Sequence, residues 1–319
     1  MPDYGIINDR SPHIIADLCE LVCYLENSSV SRGDIEGFIQ RGGGTGLLQD
    51  LEAEDEAEAN EKLQVLTEDA FQQLVYRQET FGDWYPFVAQ HDVLELKDGQ
   101  TERQKIYATL LVDSRLKMFT PATRTRLAAE FETLCLHAMS GLFPAWNVYH
   151  FGTGGRDRAE FGNKLKDALR SLGRKMRDCV LDKHVNELSD QNTGDGGIDL
   201  VAIHEWGDAA GSVAAYFAQC AAQQEGWPEK RFESHPVTHE RFFSFFHKPG
   251  SILFIPIFYR ESHGDWIDSV GHGSLLIDRL RIIELYELQI RAGTKAIADI
   301  FSVITDPFAP GAFLPEEAA

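Results

Sequence analysis

A continuous apolar run at residues 252–259 most strongly constrains what this chain can fold into. Its eight residues, Ile-Leu-Phe-Ile-Pro-Ile-Phe-Tyr, include no charged side chain. A strand that is buried on both faces has such a run, whereas a strand with one exposed face alternates apolar and polar residues. The run is also much shorter than the roughly 20 residues that a helix needs to cross a bilayer. It therefore predicts a strand inside a sheet that is covered on both faces, and no membrane segment.

Helical and strand-like segments alternate around this run. Apolar residues at helical spacing lie in residues 123–142, 161–185 and 273–293. Segments typical of strands occupy residues 146–151, 198–206 and 213–221. A mixed sheet flanked by helices buries such a succession of elements. The second part of the chain is therefore expected to have an α/β fold.

The N-terminal part has a different, mainly helical pattern. Residues 12–40 predict two short helices, the second capped by Ser29 or Ser31, and residues 102–118 predict another. A shorter segment of β character separates them at residues 84–96.

Pro121 interrupts the helical pattern and marks the expected domain boundary. We predict a mainly helical domain at residues 1–120, which would serve in recognition or assembly. Residues 121–319 would form the domain that contains the mixed sheet.

Charge and cysteine content limit the classes of function. The net charge of −20 counts against non-specific binding to nucleic acid, which depends on Lys and Arg at the phosphates. The five cysteines are an odd number, are scattered and form no Cys-x-x-Cys pair. This pattern favours reduced thiols over a disulfide framework or a cysteine zinc site. The N-terminus shows no basic region followed by an apolar stretch, so we expect a soluble, cytoplasmic protein.

The segment at residues 194–199, Gly-Asp-Gly-Gly-Ile-Asp, is the strongest candidate for a functional site, and we call it the 194–199 loop. Its three glycines predict a tight turn that leads directly into a strand. Asp199 then lies at the start of an apolar strand, where a carboxylate is costly unless it is paired, hydrogen-bonded or bound to a metal. For Asp195 and Asp199 alike, a turn or capping role is the alternative to catalysis.

The following strand supplies a second oxygen-bearing side chain. Residues 207–211 predict a hairpin, and antiparallel pairing across it would set Gln219 beside Asp199 on one face of the sheet. Two neighbouring oxygen ligands, completed by waters, suit a hard cation such as Mg²⁺.

Together these motifs resemble the Mrr-type branch of the PD-(D/E)xK restriction-endonuclease superfamily. The resemblance covers roughly residues 125–260 and includes Phe131-Glu132 on the preceding helix, the 194–199 loop, and Gln219-Cys220. It implies a restriction-endonuclease-like core and Mg²⁺- or Mn²⁺-dependent hydrolysis of DNA, with defence against foreign DNA as the biological role. The implied metal ligands are Glu132, Asp199, Gln219, the backbone carbonyl of Cys220 and, as an auxiliary ligand, Asp195.

One position departs from the family pattern. The catalytic lysine is expected two residues after Gln219, but the chain has Ala221 there. In these enzymes that lysine stabilises the charged transition state or positions the attacking water. Lys230, in the segment Gly-Trp-Pro-Glu-Lys, resembles a displaced lysine found in a subgroup of restriction-like proteins. The alternative is that Lys230 is an ordinary surface lysine.

The basic stretch before the loop is the candidate surface for DNA. Lys164, Lys166 and Arg170 are predicted to contact phosphates, although a solvated helix face is the more common reason for such spacing. A protein partner or a second copy of the chain is a further possible partner.

Two other functions compete with the nuclease. The absence of a lysine at position 221 and the acidic net charge favour a catalytically impaired scaffold or sensor subunit of a larger defence complex. His235 and His239 are four residues apart, as in helical zinc sites, but Pro236 and Val237 fit a helix interior poorly and no third ligand is evident.

Overall fold

The structure is a computed structural model that describes residues 12–40, 56–152, 158, 160–223, 226–267 and 273–305. The described chain forms two compact units. The first contains the described residues up to Thr123, those of the segment Ile257–Ser269, and Ile304 and Thr305. The second is formed by Arg124–Pro256 and Val270–Val303, and it contains every residue of the predicted site.

The first unit combines helices with a small antiparallel sheet. Its helices are α1 (Pro12–Glu26), α2 (Arg32–Phe38), α3 (Glu56–Phe81) and α4 (Glu102–Asp113). Strands β1 (Ser29–Ser31), β2 (Phe87–Gln90) and β3 (Val93–Leu96) pair in the order β1-β3-β2. Ser31 caps α2 as predicted, because its hydroxyl accepts a hydrogen bond from Asp34 N and the Asp34 carboxylate accepts one from Ser31 N.

The second unit is a mixed α/β layer structure, as the sequence predicts. Its sheet contains β4 (Asn147–His150), β6 (Leu200–Ile203), β7 (Ala215–Cys220), β9 (Gly250–Phe254) and β10 (Leu275–Ile277), in the spatial order β10-β9-β7-β6-β4. The β4-β6-β7 pairs are antiparallel, whereas β7-β9 and β9-β10 are parallel. Strands β5 (Cys179–Val180) and β8 (Phe243–Ser244) form a separate two-stranded ladder.

Helices accompany this sheet. They are α5 (Pro121–Leu142), α6 (Leu165–Met176), α7 (Asp182–Glu187), α8 (Trp227–Lys230), α9 (Pro236–His239), α10 (Arg279–Arg291) and α11 (Ile297–Phe301). Every residue of β6 is buried, so both faces of the sheet are covered at this strand. One core cluster packs α6 against the sheet and includes Phe151, Phe161, Leu165, Leu169, Leu172, Val201, Phe217 and Phe243. Across the described ranges, no helix combines the length and the apolar character that crossing a membrane requires.

Three elements differ from their sequence predictions. The helical stretch predicted at residues 161–185 is divided, because Arg177 adopts a left-handed conformation (φ 56°) that ends α6. The closing helix predicted at residues 273–293 begins only at Arg279, after β10 and the capping residue Asp278. The apolar run of residues 252–259 is an interior strand as predicted, but β9 ends at Phe254, two residues before Pro256.

The β7-β9 pairing depends on a glycine. Gly250 lies opposite Tyr216 in the register, and a Cβ there would approach the Tyr216 ring to 2.8 Å at Cζ and closer still at Cδ1 and Cε1. The ring is held by neighbours, with Phe143 at 4.8 Å and Trp146 at 5.9 Å between ring centroids. The close approach of strand and ring therefore requires residue 250 to lack a side chain.

We expect Gly250→Ala to lower the free energy of unfolding by about 1–3 kcal/mol, the usual cost of overpacking a core. Thermal melting followed by circular dichroism measures the change. The matched control is Gly33→Ala in α2, where the nearest atom to a new Cβ is 3.9 Å away and alanine favours the helix. Equal melting temperatures for Gly250→Ala and the wild type would contradict the steric argument.

Candidate metal site

Asp199 connects three strands of the sheet at the start of β6. Its N–H donates to Ala218 O (2.9 Å), and its carbonyl oxygen accepts from Phe151 N (2.7 Å) and Gly152 N (2.8 Å). Its carboxylate oxygen Oδ2 accepts from Cys220 N (2.7 Å). These bonds fix both the backbone and the carboxylate. The residue is only 4% exposed.

The electrostatic surroundings of Asp199 disfavour a bare negative charge. Burial raises the pKa of its carboxyl well above the ordinary value, and the nearby carboxylate of Glu132 raises it further. The Cys220 N–H lowers this pKa, whereas Asp195 and Glu233 add smaller increases. A cation is the ligand that would relieve this accumulation of negative charge.

Gln219 brings an unsatisfied oxygen to the same strand ends. Leu200 pairs with Ala218, so the next position in the antiparallel register sets Gln219 across from Asp199. The Gln219 side chain is only 7% exposed, and its Oε1 accepts no hydrogen bond from any residue that the structure describes. A buried amide oxygen without a partner costs about 1–3 kcal/mol, and a ligand that accepts its lone pairs would offset that cost.

The 194–199 loop is a tight turn, and its shape depends on its glycines. Asp195 Oδ1 accepts a hydrogen bond from Gly197 N (2.7 Å), so Asp195 has the turn role that was one of its two predicted roles. Gly196 (φ 68°) and Gly197 (φ 87°) adopt conformations that favour glycine. A Cβ on Gly197 would lie 2.9 Å from the carbonyl oxygen of Glu233, which shows how closely the two backbones approach.

Lys230 lies near this loop in an ion pair. Its Nζ is 2.8 Å from Glu233 Oε1, and both side chains are partly exposed. Glu233 in turn packs its backbone against Gly197 and its charge acts on Asp199. Sequence reasoning missed Glu233, because a single glutamate on a polar segment has no distinctive pattern.

Cys220 and Cys135 connect the site with helix α5. Burial raises the pKa of the Cys220 thiol well above its ordinary value, and a hydrogen bond between the two side chains raises it further. Glu132 lies three residues before Cys135, and its charge acts on both Cys220 and Asp199. The predicted helix motif and the two strand motifs therefore meet at one place.

The described acidic side chains do not form a preorganised metal-binding cluster. Within the described part of the chain, no three His, Cys, Asp or Glu side chains are arranged to hold a metal ion. Of the predicted ligands, Asp199 and the Gln219 oxygen lie side by side, and the charges of Glu132 and Asp195 act on Asp199.

The predicted DNA-binding cations are engaged with neighbouring polar groups. Lys166 Nζ is 2.7 Å from Asp190 Oδ1, and Arg170 Nε is 3.1 Å from Asp182 Oδ1. Lys164 Nζ donates to a glutamine side chain at 3.3 Å. This face of α6 therefore has much of its positive charge compensated.

The two histidines considered for zinc are separated by the start of a helix. His235 precedes α9 and its Nδ1 accepts from Val237 N (3.4 Å), whereas the His239 ring bonds to Glu233 O (2.9 Å). Burial lowers the pKa of His239 to about 4. Both rings have local structural roles.

Arg158 is a residue of the site that the sequence did not indicate. The side chain is 1% exposed, and its Nη2 donates to Thr193 O (2.8 Å) and to Gly194 O. Burial lowers the pKa of the guanidinium, and the charge of Asp195 opposes that shift. An isolated arginine in a polar segment offers no pattern by which it could be found.

The site is thus a buried carboxylate and, at the neighbouring strand end, an amide oxygen without a hydrogen-bond donor among the described residues, bordered by three further acids and a buried arginine. Its chemistry suits a cation bound together with an anionic substrate. Comparison with protein-family models, with curated proteins and with solved structures found no match to this chain.

Proposed function

We propose that the protein is a Mg²⁺- or Mn²⁺-dependent nuclease that hydrolyses phosphodiester bonds of DNA, with a restriction-endonuclease-like core. The carrying observation is the buried Asp199 carboxylate, surrounded by like charges, beside Oε1 of Gln219, which accepts no hydrogen bond from the described residues. The motif resemblance supports the same reaction. Action against foreign DNA belongs to the proposal on that resemblance alone.

The residues present fit a hard cation. Asp199 and Gln219 would hold it, Glu132 would complete the acidic side of the site, and waters would fill the remaining positions. The bound cation would supply an activated water and neutralise charge on the scissile phosphate. The Cys220 carbonyl and Asp195 remain auxiliary ligands in this proposal.

The side chains of the chain perform the remaining tasks. Because its pKa is raised, Asp199 would hold a proton to a higher pH than an ordinary aspartate, and it would release that proton in order to hold a cation. Glu233 orients the Lys230 ammonium, and we propose that Lys230 replaces the lysine missing at position 221 in stabilising the transition state.

A scaffold or sensor subunit is the second candidate function. The absence of a preformed acidic cluster among the described residues and the pairing of Lys230 with Glu233 favour it. Both candidate functions are compatible with the same fold, but only the nuclease requires catalytic turnover of DNA.

A cleavage assay separates the two. The metal-stripped full chain is incubated with Mg²⁺ or Mn²⁺ and with plasmid, linear and single-stranded DNA, and RNA. We expect metal-dependent cleavage of DNA that Glu132→Gln reduces by about 10²–10³-fold, the usual effect of removing one electrostatic group from a site.

The matched control is Glu187→Gln, an exposed glutamate beside His184. It is expected to cleave like the wild type. Cleavage that is absent in every condition, or equal in Glu132→Gln and the wild type, would favour the scaffold.

A further inference from the structure

We propose that Arg158 is a phosphate-binding residue of this site, and that its guanidinium donates hydrogen bonds to an oxygen of the substrate phosphodiester at the 194–199 loop. The inference rests on the proposed function and names the group that would recognise the anionic half of the substrate. It adds a cation to the site besides Lys230.

The Arg158 side chain is fixed and incompletely satisfied. Its Nη2 is held by the carbonyl oxygens of Thr193 and Gly194, and its guanidinium carbon lies 5.2 Å from the centre of the Phe151 ring. The Nε and Nη1 donors are buried and find no acceptor among the described residues. Buried donors are almost always paired, so two on one side chain indicate a missing ligand.

The charge of Arg158 is also poorly compensated. A guanidinium stays protonated in proteins, so burial cannot remove its charge. Within the described ranges no carboxylate lies within ion-pair distance of it, and Asp195 acts only through its longer-range field. A buried cation without a counter-ion is costly, and an anionic ligand would offset that cost.

The surroundings favour a phosphate with a cation over a bare anion. Asp199, Asp195 and Glu233 would repel an anion that enters alone. A cation at Asp199 reverses this field, so that an anion at Arg158 and a cation at Asp199 support each other. The planar fork of a guanidinium matches two oxygens of a phosphate, which makes a phosphate group the expected ligand.

Binding of an uncleaved oligonucleotide tests the inference without requiring turnover. The probe is a fluorescein-labelled DNA oligonucleotide in Ca²⁺, and its affinity is measured by fluorescence anisotropy. We expect Arg158→Met to weaken binding about tenfold to a hundredfold, with Arg158→Lys between it and the wild type. The control Arg291→Met removes an exposed arginine that pairs with Glu287, and it is expected to bind like the wild type.

Each outcome supports or overturns the inference. If circular dichroism shows a folded Arg158→Met that binds as tightly as the wild type, the inference is wrong even when the protein cleaves DNA. If Arg158→Met does not fold, the same comparison is made with Arg158→Lys, in which unchanged affinity overturns the inference. If binding depends on Arg158 but the protein cleaves DNA in no condition, the inference is supported and the nuclease proposal is wrong.

The source of the phosphate is assigned by a second probe. Thermal melting with inorganic phosphate and Mg²⁺ is compared between the wild type and Arg158→Lys. Stabilisation that requires Arg158 would assign a free phosphate as a sufficient ligand, whereas binding confined to the oligonucleotide would assign the phosphodiester. If Arg158→Lys keeps both the affinity for the oligonucleotide and the stabilisation by phosphate, the proposal is overturned.

Discussion

Asp199→Asn is expected to lose metal-dependent cleavage, by about 10²-fold or more, and to melt at a higher temperature than the wild type at neutral pH. The stability increase has an electrostatic reason. The wild type buries a carboxyl whose ionised form is disfavoured by burial and by Glu132, and asparagine removes that charge while keeping an oxygen for the Cys220 N–H. Each kcal/mol gained would raise the melting temperature by about 2–4 °C for a domain of this size.

The pH dependence has a definite sign. A carboxyl whose folded-state pKa is raised contributes stability that is complete below its unfolded pKa, about 3.9, and is lost as the pH rises through the folded value. The wild type and Asp199→Asn should therefore melt alike in acid, and the advantage of the variant should grow as the pH increases towards neutrality. Melting without metal from pH 4 to pH 8 measures this difference.

Asp190→Asn is the matched control for the stability measurement. Asp190 is exposed and its carboxylate pairs with Lys166, which lowers its pKa, so the sign of the pH effect is opposite and the expected change is small. A lower melting temperature for Asp199→Asn at neutral pH would contradict the electrostatic description of the site.

Gly197→Ala is expected to disrupt the 194–199 loop and reduce cleavage by at least about 10²-fold, because a small displacement of catalytic groups has that effect. Alanine would be strained at a φ of 87°, and its Cβ would lie 2.9 Å from the Glu233 carbonyl, which is backbone and cannot rotate away. Strain and displacement together are expected to lower the free energy of unfolding by about 1–3 kcal/mol.

The control for this prediction is Gly207→Ala in the β6-β7 hairpin, where a Cβ meets no atom within 4 Å. Cleavage and melting are measured for both variants. Full activity in Gly197→Ala would mean that the close approach of the loop to residue 233 has no role in the site.

The strands that carry the site could be predicted because their patterns are local. The glycines before Asp199, the hairpin at residues 207–211 and the position of Gln219 on the next strand correctly predict the β6-β7 pair. Pairing register then follows from hydrogen bonding, so the proximity of Gln219 to Asp199 needed no knowledge of the rest of the fold.

Features that depend on distant parts of the chain could not be predicted. Strand β10 is only three residues long and runs through Asp278 into a helix, so its sequence resembles the first turn of that helix. The roles of Arg158 and Glu233 arise from the approach of separate segments to the 194–199 loop. Neither residue belongs to a periodic pattern.

The apolar run at residues 252–259 belongs to both compact units. Its first part ends β9 of the second unit, whereas Phe258 is buried in the first unit, 5.3 Å from the Phe81 ring and 5.0 Å from the guanidinium of Arg77. A single cut at residue 123 would therefore strip Phe258 of its neighbours and leave an apolar surface on the remaining piece. Because the chain passes from the second unit into the first at Ile257 and returns after Ser269, no single cut yields fragments in which both units are whole.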